Sequence, residues 1–317
     1  MNTYQPEFSI VVPIYNEVEN ISDLYERLTP VMKELCDREG LSLDSYEIIM
    51  VDDGSKDGSW QIIRGLHEKD AKVKAISFSR NFGHHMALTA GLDYAKGRVI
   101  ILMDGDLQDP PEEIPKLYDK FKEGYDLVYG IRRQRQDPFL KKMTSYFFWQ
   151  ILRKFSGVDI PAGQTMLRIL SRRLVDVLKD MREQARFIHG MMAWAGFNST
   201  TVEIAHNPRL KGKSKYNVPR MFKLAFHAIT AFSTIPLRIA TYVGLLSSLI
   251  SLIVGLYFIF RKILYGIPVL GYASIIVSIF FVGGLQLLII GIFGEYLGRT
   301  YQAVQQRPLY VIKEQIF

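Results

Sequence analysis

One cysteine, Cys36, stands in 317 residues, which excludes an intramolecular disulfide and fits a reducing compartment. No Gly-x-x-x-x-Gly-Lys-Ser/Thr loop and no Gly-x-Gly-x-x-Gly turn follows a strand pattern, so neither the P-loop nor the dinucleotide fingerprint is present. Residues Met1 to Glu7 lack the apolar run of a signal peptide, and the domain that follows is expected on the cytoplasmic side of a membrane. Charge is missing altogether from Ile239 to Phe260 and again from Ile263 to Gly294. Each stretch exceeds the roughly 20 apolar residues that cross a bilayer core of about 30 Å. A hairpin of two transmembrane helices is expected, turning around Tyr265 to Gly271. A buried hairpin in a soluble core is the competing reading.

Ahead of the hairpin, strand patterns alternate with helical ones. Phe8–Pro13, Tyr46–Val51, Val73–Phe78, Arg98–Met103 and Tyr125–Tyr129 read as strands. Long crossovers between them predict an α/β fold with a mostly parallel sheet. A polar cluster follows each of the first four strands: Tyr15-Asn16-Glu17, Asp52-Asp53-Gly54-Ser55, Ser79-Arg80-Asn81 and Asp104-Gly-Asp106. Ligands of open α/β sheets collect beyond the carboxyl ends of the strands, so these clusters predict a nucleotide pocket at one sheet edge. Asp52 and Asp53 can accept from a base N–H or from ribose hydroxyls, and Gly54 allows close backbone approach. Asp104, Asp106 and the amide oxygen of Gln108 are hard ligands suited to Mg²⁺ or Mn²⁺ held jointly with substrate phosphates. Taken alone, the short Asp-x-Asp reads more readily as a solvated turn capping the next helix, and the runs that follow it reverse that preference.

Several spaced runs resemble one family. Ser9-Ile-Val-Val-Pro-Ile-Tyr-Asn-Glu17, Val51-Asp-Asp-Gly-Ser-Lys-Asp-Gly58 and Asp104-Gly-Asp-Leu-Gln-Asp-Pro-Pro111 resemble the nucleotide-sugar domain of the inverting GT-A glycosyltransferases. Phe78-Ser-Arg-Asn-Phe-Gly-His84, Gly212-Lys-Ser-Lys-Tyr216, Phe232-Ser-Thr-Ile-Pro-Leu-Arg238 and Gly294-Glu-Tyr-Leu-Gly-Arg-Thr-Tyr301 narrow the resemblance. They point to the polyprenyl-phosphate glycosyltransferases, the group with dolichyl-phosphate mannose synthase and the bactoprenol glucosyltransferases. The resemblance implies a nucleotide-sugar donor, UDP before GDP, a divalent metal, and a membrane polyprenyl phosphate as acceptor. It assigns the nucleotide to Pro13, Tyr15, Asn16, Glu17, Asp52, Asp53 and Arg80. The metal falls to Asp104, Asp106 and Gln108, and the acceptor phosphate to Arg132, Ser145, Arg209 and Lys215. Asp104, Asp106 and Arg132 are the expected catalytic residues. One departure stands out: many relatives carry an acid in a Gly-Asp-Phe-Arg stretch where this chain reads Ala162-Gly-Gln-Thr-Met-Leu-Arg168, and Asp159 is out of register.

Composition adds an anionic acceptor at a membrane surface. The net charge is +7, and much of the excess lies in two runs. Arg132, Arg133, Arg135, Lys141, Lys142, Arg153 and Lys154 face a single acid, Asp137, among Phe139, Tyr146, Phe147, Phe148 and Trp149. Arg209, Lys211, Lys213, Lys215, Arg220 and Lys223 lead into the hairpin. Basic and aromatic residues together suit an interfacial helix on anionic headgroups. Nucleic acid, the other target of such segments, is not expected beside membrane spans.

The expected organisation is a cytoplasmic GT-A (Rossmann-like) domain over 1–218 and an interfacial segment over 219–236. A hairpin over 237–297, with spans at about 239–260 and 272–294, and a cytoplasmic tail over 298–317 complete it. The whole is a multi-pass protein of the inner (cytoplasmic) membrane. Basic flanks agree in part: Arg238, Arg299, Arg307 and Lys313 lie inside, Arg261 and Lys262 in the loop. Gly244, Ser247, Ser248, Ser251 and Gly255 permit close helix contact, either within one hairpin or in a homo-oligomer. A processive polysaccharide synthase and a non-catalytic scaffold or flippase subunit are the rival functions. Two spans are few for a channel, and a scaffold has no use for Asp104 and Asp106.

Overall fold

The computed structural model describes residues 5–132, 161, 163–184, 186–205, 234–265 and 271–317. The first four strands alternate with helices: β1 (Phe8–Ile14), α1 (Ile21–Arg38), β2 (Tyr46–Asp52), α2 (Ser59–Lys69), β3 (Val73–Phe78), α3 (His84–Tyr94) and β4 (Val99–Leu102). Then follow α4 (Ile114–Phe121), β5 (Leu127–Arg132), β6 (Gln164–Ser171), α5 (Arg172–Asp180), α6 (Ile188–Trp194) and β7 (Ser199–Ile204). Two long helices, α7 (Ile235–Tyr265) and α8 (Tyr272–Val304), precede a last strand, β8 (Ile312–Ile316).

Among the described residues the strands form one sheet in the order β7-β5-β6-β4-β1-β2-β3-β8. It is mostly parallel; β6 and β8 run against their neighbours. Ile10, Val12, Ile48, Met50 and Ile101 pack on one face with α1, α2 and α4. Val11, Ile49, Val51, Ile100 and Leu102 pack on the other with α3, α5 and α6. Burial on both faces is why these strands read as unbroken apolar runs rather than alternating ones. Helix α3 lies so close to β1 that a Cβ on Gly91 would sit 2.1 Å from Val11 Cγ1.

Chain order places the crevice. The path β1-β2-β3 advances in one direction, and the connection through α3 then returns to lay β4 on the other side of β1. The switch point of the sheet is therefore between β1 and β4, where a doubly wound sheet opens at its carboxyl edge. The β1/β4 ladder ends at Val11↔Leu102, and Met103 N donates to Val11 O. Pro13, two residues on, points its missing N–H past the end of β4 and so forfeits no ladder bond.

Three strands lie outside the sequence expectation. In β6 the polar Arg168 interrupts an otherwise apolar run. Strands β7 and β8 are sheet-edge strands that alternate exposed and partly buried residues. The stretch expected as a tail beyond residue 298 thus completes α8 and supplies β8, antiparallel on β3. Tyr310 stacks on Phe78 at 5.0 Å and donates to Asp93 Oδ2 at 2.7 Å, while Trp60 Nε1 donates to Glu314 Oε2 at 3.1 Å.

Among the described residues two helices are long and apolar enough to cross a membrane, over Ile235–Tyr257 and Ser278–Val304, with mean hydropathies of 2.1 and 1.8. Their large apolar side chains point outward, as at Leu245, Leu252, Phe280 and Leu287. Among the described residues these helices are apolar on all sides and little of that surface is covered. At 1.5 Å per residue α7 and α8 are each about 45–50 Å long, beyond the hydrocarbon thickness of about 30 Å. Gly244 of α7 faces Ile289 of α8 in the same chain. Strand β8 returns the end of α8 to the sheet that begins with β1.

Candidate active site

The loops after β1 and β2 are stitched into one wall. Asn16, held at φ 55°, donates its backbone N–H to Ser55 Oγ at 2.9 Å and accepts from Lys56 N at 2.9 Å. Glu17 N donates to Ser59 Oγ at 3.1 Å. Tyr15 projects from this wall with 45% of its surface exposed, while Pro13 stays buried in β1. Gly54 has φ +70°, and a Cβ there would meet the Arg80 carbonyl carbon at 2.5 Å. The close approach expected of this glycine is therefore made by the Arg80–Asn81 backbone.

Asp52 and Asp53 are almost wholly buried. Asp52 accepts from Ser55 N at 3.0 Å and Ser77 Oγ at 2.9 Å. Asp53 accepts from Phe82 N at 2.6 Å and Gly83 N at 2.9 Å, which fixes the turn into α3. Burial raises the Asp53 carboxyl above its ordinary value against those two bonds. Both acids thus hold the pocket wall together. Arg80 is exposed, its guanidinium lying 4.0 Å from the Phe82 ring centroid.

The loop after β4 leaves at the switch point. Gly105 has no room for a side chain, since a Cβ would meet Ile14 Cδ1 at 2.7 Å. Leu107 is buried at φ 57°, a left-handed conformation that costs a branched residue about 1–3 kcal/mol and is retained where the surroundings enforce it. Asp106 Oδ1 accepts from Gln108 N at 3.2 Å. Asp109, which the sequence reading did not single out, accepts from Met166 N at 3.2 Å and Leu167 N at 3.3 Å. It pins the loop to β6; the signal for it was the third Asp in Asp104-Gly-Asp-Leu-Gln-Asp109.

The electrostatics of this loop are lopsided. Asp104 keeps 38% of its side chain open to the cleft while protein crowds the rest. Burial first, then Asp106 and Asp109, push its carboxyl up to about 7. The compensating charge is Arg168, fully buried beneath the loop, where burial draws its guanidinium down to about 10. His84 Nε2 lies 3.7 Å from Asp104 Oδ1, and burial followed by Arg168 holds its pKa down to about 4. An excess of carboxylate with neutral imidazole in front fits a hard divalent cation. Among the described residues no three His, Cys or acidic side chains are grouped so as to hold a metal ion by themselves.

Arg132 ends β5, and its buried Nε has no hydrogen-bond partner among the described residues. Ser145, Arg209 and Lys215 lie outside the described residues, as do the basic-aromatic segment beyond Arg132 and the interfacial segment up to residue 233. The stretch expected to lack a carboxylate, Ala162 to Arg168, leads into β6 against β4, with Arg168 opposite Leu102. Among the described residues Asp109 contacts it, through the backbone of Met166 and Leu167.

The description Glycosyl transferase family 2 matches residues 9–180, more than half of the chain. The prophage bactoprenol glucosyl transferase homolog of Escherichia coli is 41% identical over 310 residues, covering 97% of this chain and 98% of that protein. The bactoprenol glucosyl transferase of Shigella phage SfX is 41% identical over 308 residues, 97% of this chain and 99% of its own. An uncharacterized glycosyltransferase of Bacillus subtilis, YkcC, is 40% identical over 309 residues, 97% of this chain and 94% of its own. The switch point between β1 and β4, the Asp104–Asp109 loop that leaves it and relatives matched end to end agree: the chain belongs to glycosyl transferase family 2.

Proposed function

We propose that this protein transfers a glycosyl group from a nucleotide-diphosphate sugar, a UDP-sugar before a GDP-sugar, to a membrane polyprenyl phosphate. The observation that carries the reading is structural. An acidic loop at the switch point of an α/β sheet shares one chain with two bilayer-length helices, and β8 ties the end of the second helix back to that sheet. Full-length relatives named bactoprenol glucosyl transferase support the same acceptor class.

In this reading Tyr15, Asn16 and Arg80 contact the nucleotide directly from the wall that Asp52, Asp53 and Glu17 help to build. A divalent cation, Mg²⁺ or Mn²⁺, bound by Asp104, Asp106 and Gln108, would neutralise the charge that develops on the departing diphosphate. An oxygen of the lipid phosphate attacks the anomeric carbon from the opposite face, and the configuration inverts. A phosphate monoester with a second pKa of about 6 is largely dianionic at neutral pH, so its oxygen needs no general base. That fits a chain in which Met166 and Leu167, rather than a carboxylate, follow Thr165 along β6. Arg132, with Ser145, Arg209 and Lys215, receives the acceptor phosphate. The domain is assigned to residues 1–218 on the cytoplasmic side, the interfacial segment to 219–236 and the hairpin to 237–297.

The test is incubation of membranes containing the protein with radiolabelled UDP-sugars and a short polyprenyl phosphate, followed by extraction of lipid-linked label. Label should enter the lipid fraction only with a divalent cation present. Arg132→Ala should impair use of the lipid more than binding of UDP. Label appearing in polymer instead of lipid would overturn the reading in favour of a polysaccharide synthase.

A further inference from the structure

The polar groups facing Asp104 extend beyond its own loop. His84, the first residue of α3, shares the cleft with Asp104: 43% of its side chain is exposed, and its Nε2 stands 3.7 Å from Asp104 Oδ1. Asp104 accepts no side-chain or backbone hydrogen bond among the described residues, whereas Asp106 and Asp109 both accept from backbone N–H groups. Its orientation is therefore set by something other than its loop.

Arg168 is poorly placed to do this. Its described hydrogen bonds go to the carbonyls of Met166 and Thr165, to His189 and to the Met192 sulfur. A guanidinium only donates, so His189 Nδ1, 2.8 Å from Arg168 Nη1, accepts, and the proton of that ring resides on Nε2. His189 is consequently neutral, and it supports His85 edge-on at 5.5 Å. His85 in turn meets His84 at 5.8 Å and Phe187 at 5.7 Å, both near perpendicular. This aromatic stack backs the His84 ring and leaves its Nε2 edge toward the carboxylate.

We infer that His84 is a positioning residue for Asp104: its Nε2 edge faces Asp104 Oδ1 and, by donating to it, turns the other carboxylate oxygen toward the metal and diphosphate. The separation of 3.7 Å exceeds a hydrogen bond by about half an ångström, and the two side chains would close it when the site is loaded. Metal-bound carboxylates are themselves held by such outer partners. The inference rests on the assignment of Asp104 as a metal ligand.

The experiment measures Mn²⁺ affinity of the full-length protein in detergent with UDP present, by the electron paramagnetic resonance signal of free Mn²⁺. Wild type is compared with His84→Leu, His84→Met, His84→Gln and Asp104→Asn, each checked by its melting temperature. Removing the donor in His84→Leu or His84→Met should weaken Mn²⁺ binding 10- to 100-fold, while His84→Gln, which keeps an N–H, stays within about threefold. In turnover assays the Leu and Met variants should need more Mn²⁺, with kcat recovering at saturating metal. Wild-type Mn²⁺ affinity in the Leu and Met variants would overturn the inference, as would a His84→Gln protein as weak as they are. Should His84→Leu not fold, His84→Met alone decides. Undiminished Mn²⁺ binding by Asp104→Asn would instead overturn the metal assignment itself, and that result is read without any His84 variant.

Discussion

Replacing Asp109 by alanine separates a structural acid from the two beside it. Its Oδ2 accepts from two backbone N–H groups of β6, at 3.2 and 3.3 Å, and the residue is 5% exposed, so water cannot take over. Met166 N loses its partner, while Leu167 N keeps a second acceptor in Thr165 Oγ1 at 3.2 Å; leaving one buried donor unpaired costs about 1–3 kcal/mol. For a domain of this size each kcal/mol lowers the melting temperature by about 2–4 °C, so Asp109→Ala should melt about 2–12 °C below wild type by the same conversion. Asp109→Asn keeps a carbonyl oxygen that can accept both N–H groups and loses only the charge assistance, about 1 kcal/mol. The assay is thermal unfolding of the full-length protein in detergent, followed by tryptophan fluorescence, with turnover measured on the same samples. If Asp109→Ala melts within about 2 °C of wild type, or the Asn variant is as unstable as the Ala variant, the pin between loop and β6 is refuted.

Asp106→Ala should abolish transfer while melting near wild type, since it removes charge opposite the diphosphate rather than core packing; full activity of this variant with EDTA present would sink the metal-dependent reading. The Asp104 carboxyl, raised to about 7, disfavours its charged form when metal-free, so the apo protein should lose stability as pH rises from about 4 to 7, the window between the unfolded and folded values. Metal needs the ionised form, so Mn²⁺ affinity should increase about tenfold per pH unit up to about 7 and then level off; a titration flat from pH 5.5 to 8 refutes this. Tyr310→Phe removes the bond to Asp93 but keeps the ring on Phe78, for a loss of about 1–2 kcal/mol. Faster proteolysis of β8 and altered emission of Trp60, whose indole donates to Glu314, should report it.

The two-sided burial of β1, β2 and β4 makes their sequences continuous apolar runs, and the polar clusters that follow each run mark the sheet edge. Those features are local, which is why the pocket residues were legible from order alone. Strand β6 was not, because Arg168 sits in its middle; that arginine is tolerated only since the carbonyls of Thr165 and Met166 and the ring of His189 receive its protons. The sequence of strand β8 reads as a tail, because an edge strand buries one face shallowly and its alternation is short. The roles of Asp52 and Asp53 also depend on distant chain. Their oxygens are met by Ser77 and by the Phe82–Gly83 turn, which a linear reading cannot bring near.

By itself, then, the amino-acid order determined the α/β alternation, the acidic turn after β4 and the two charge-free spans, since each is set by neighbours within a helix turn or a strand. Only the tertiary structure decided what these pieces do to one another. It placed Asp104 before His84, put Arg168 beneath the loop, made Asp109 a clasp on β6, and returned the end of α8 to β3. Such pairings join residues from 20 to more than 200 positions apart, and their energies come from burial and charge in a shared cleft, which no local pattern encodes.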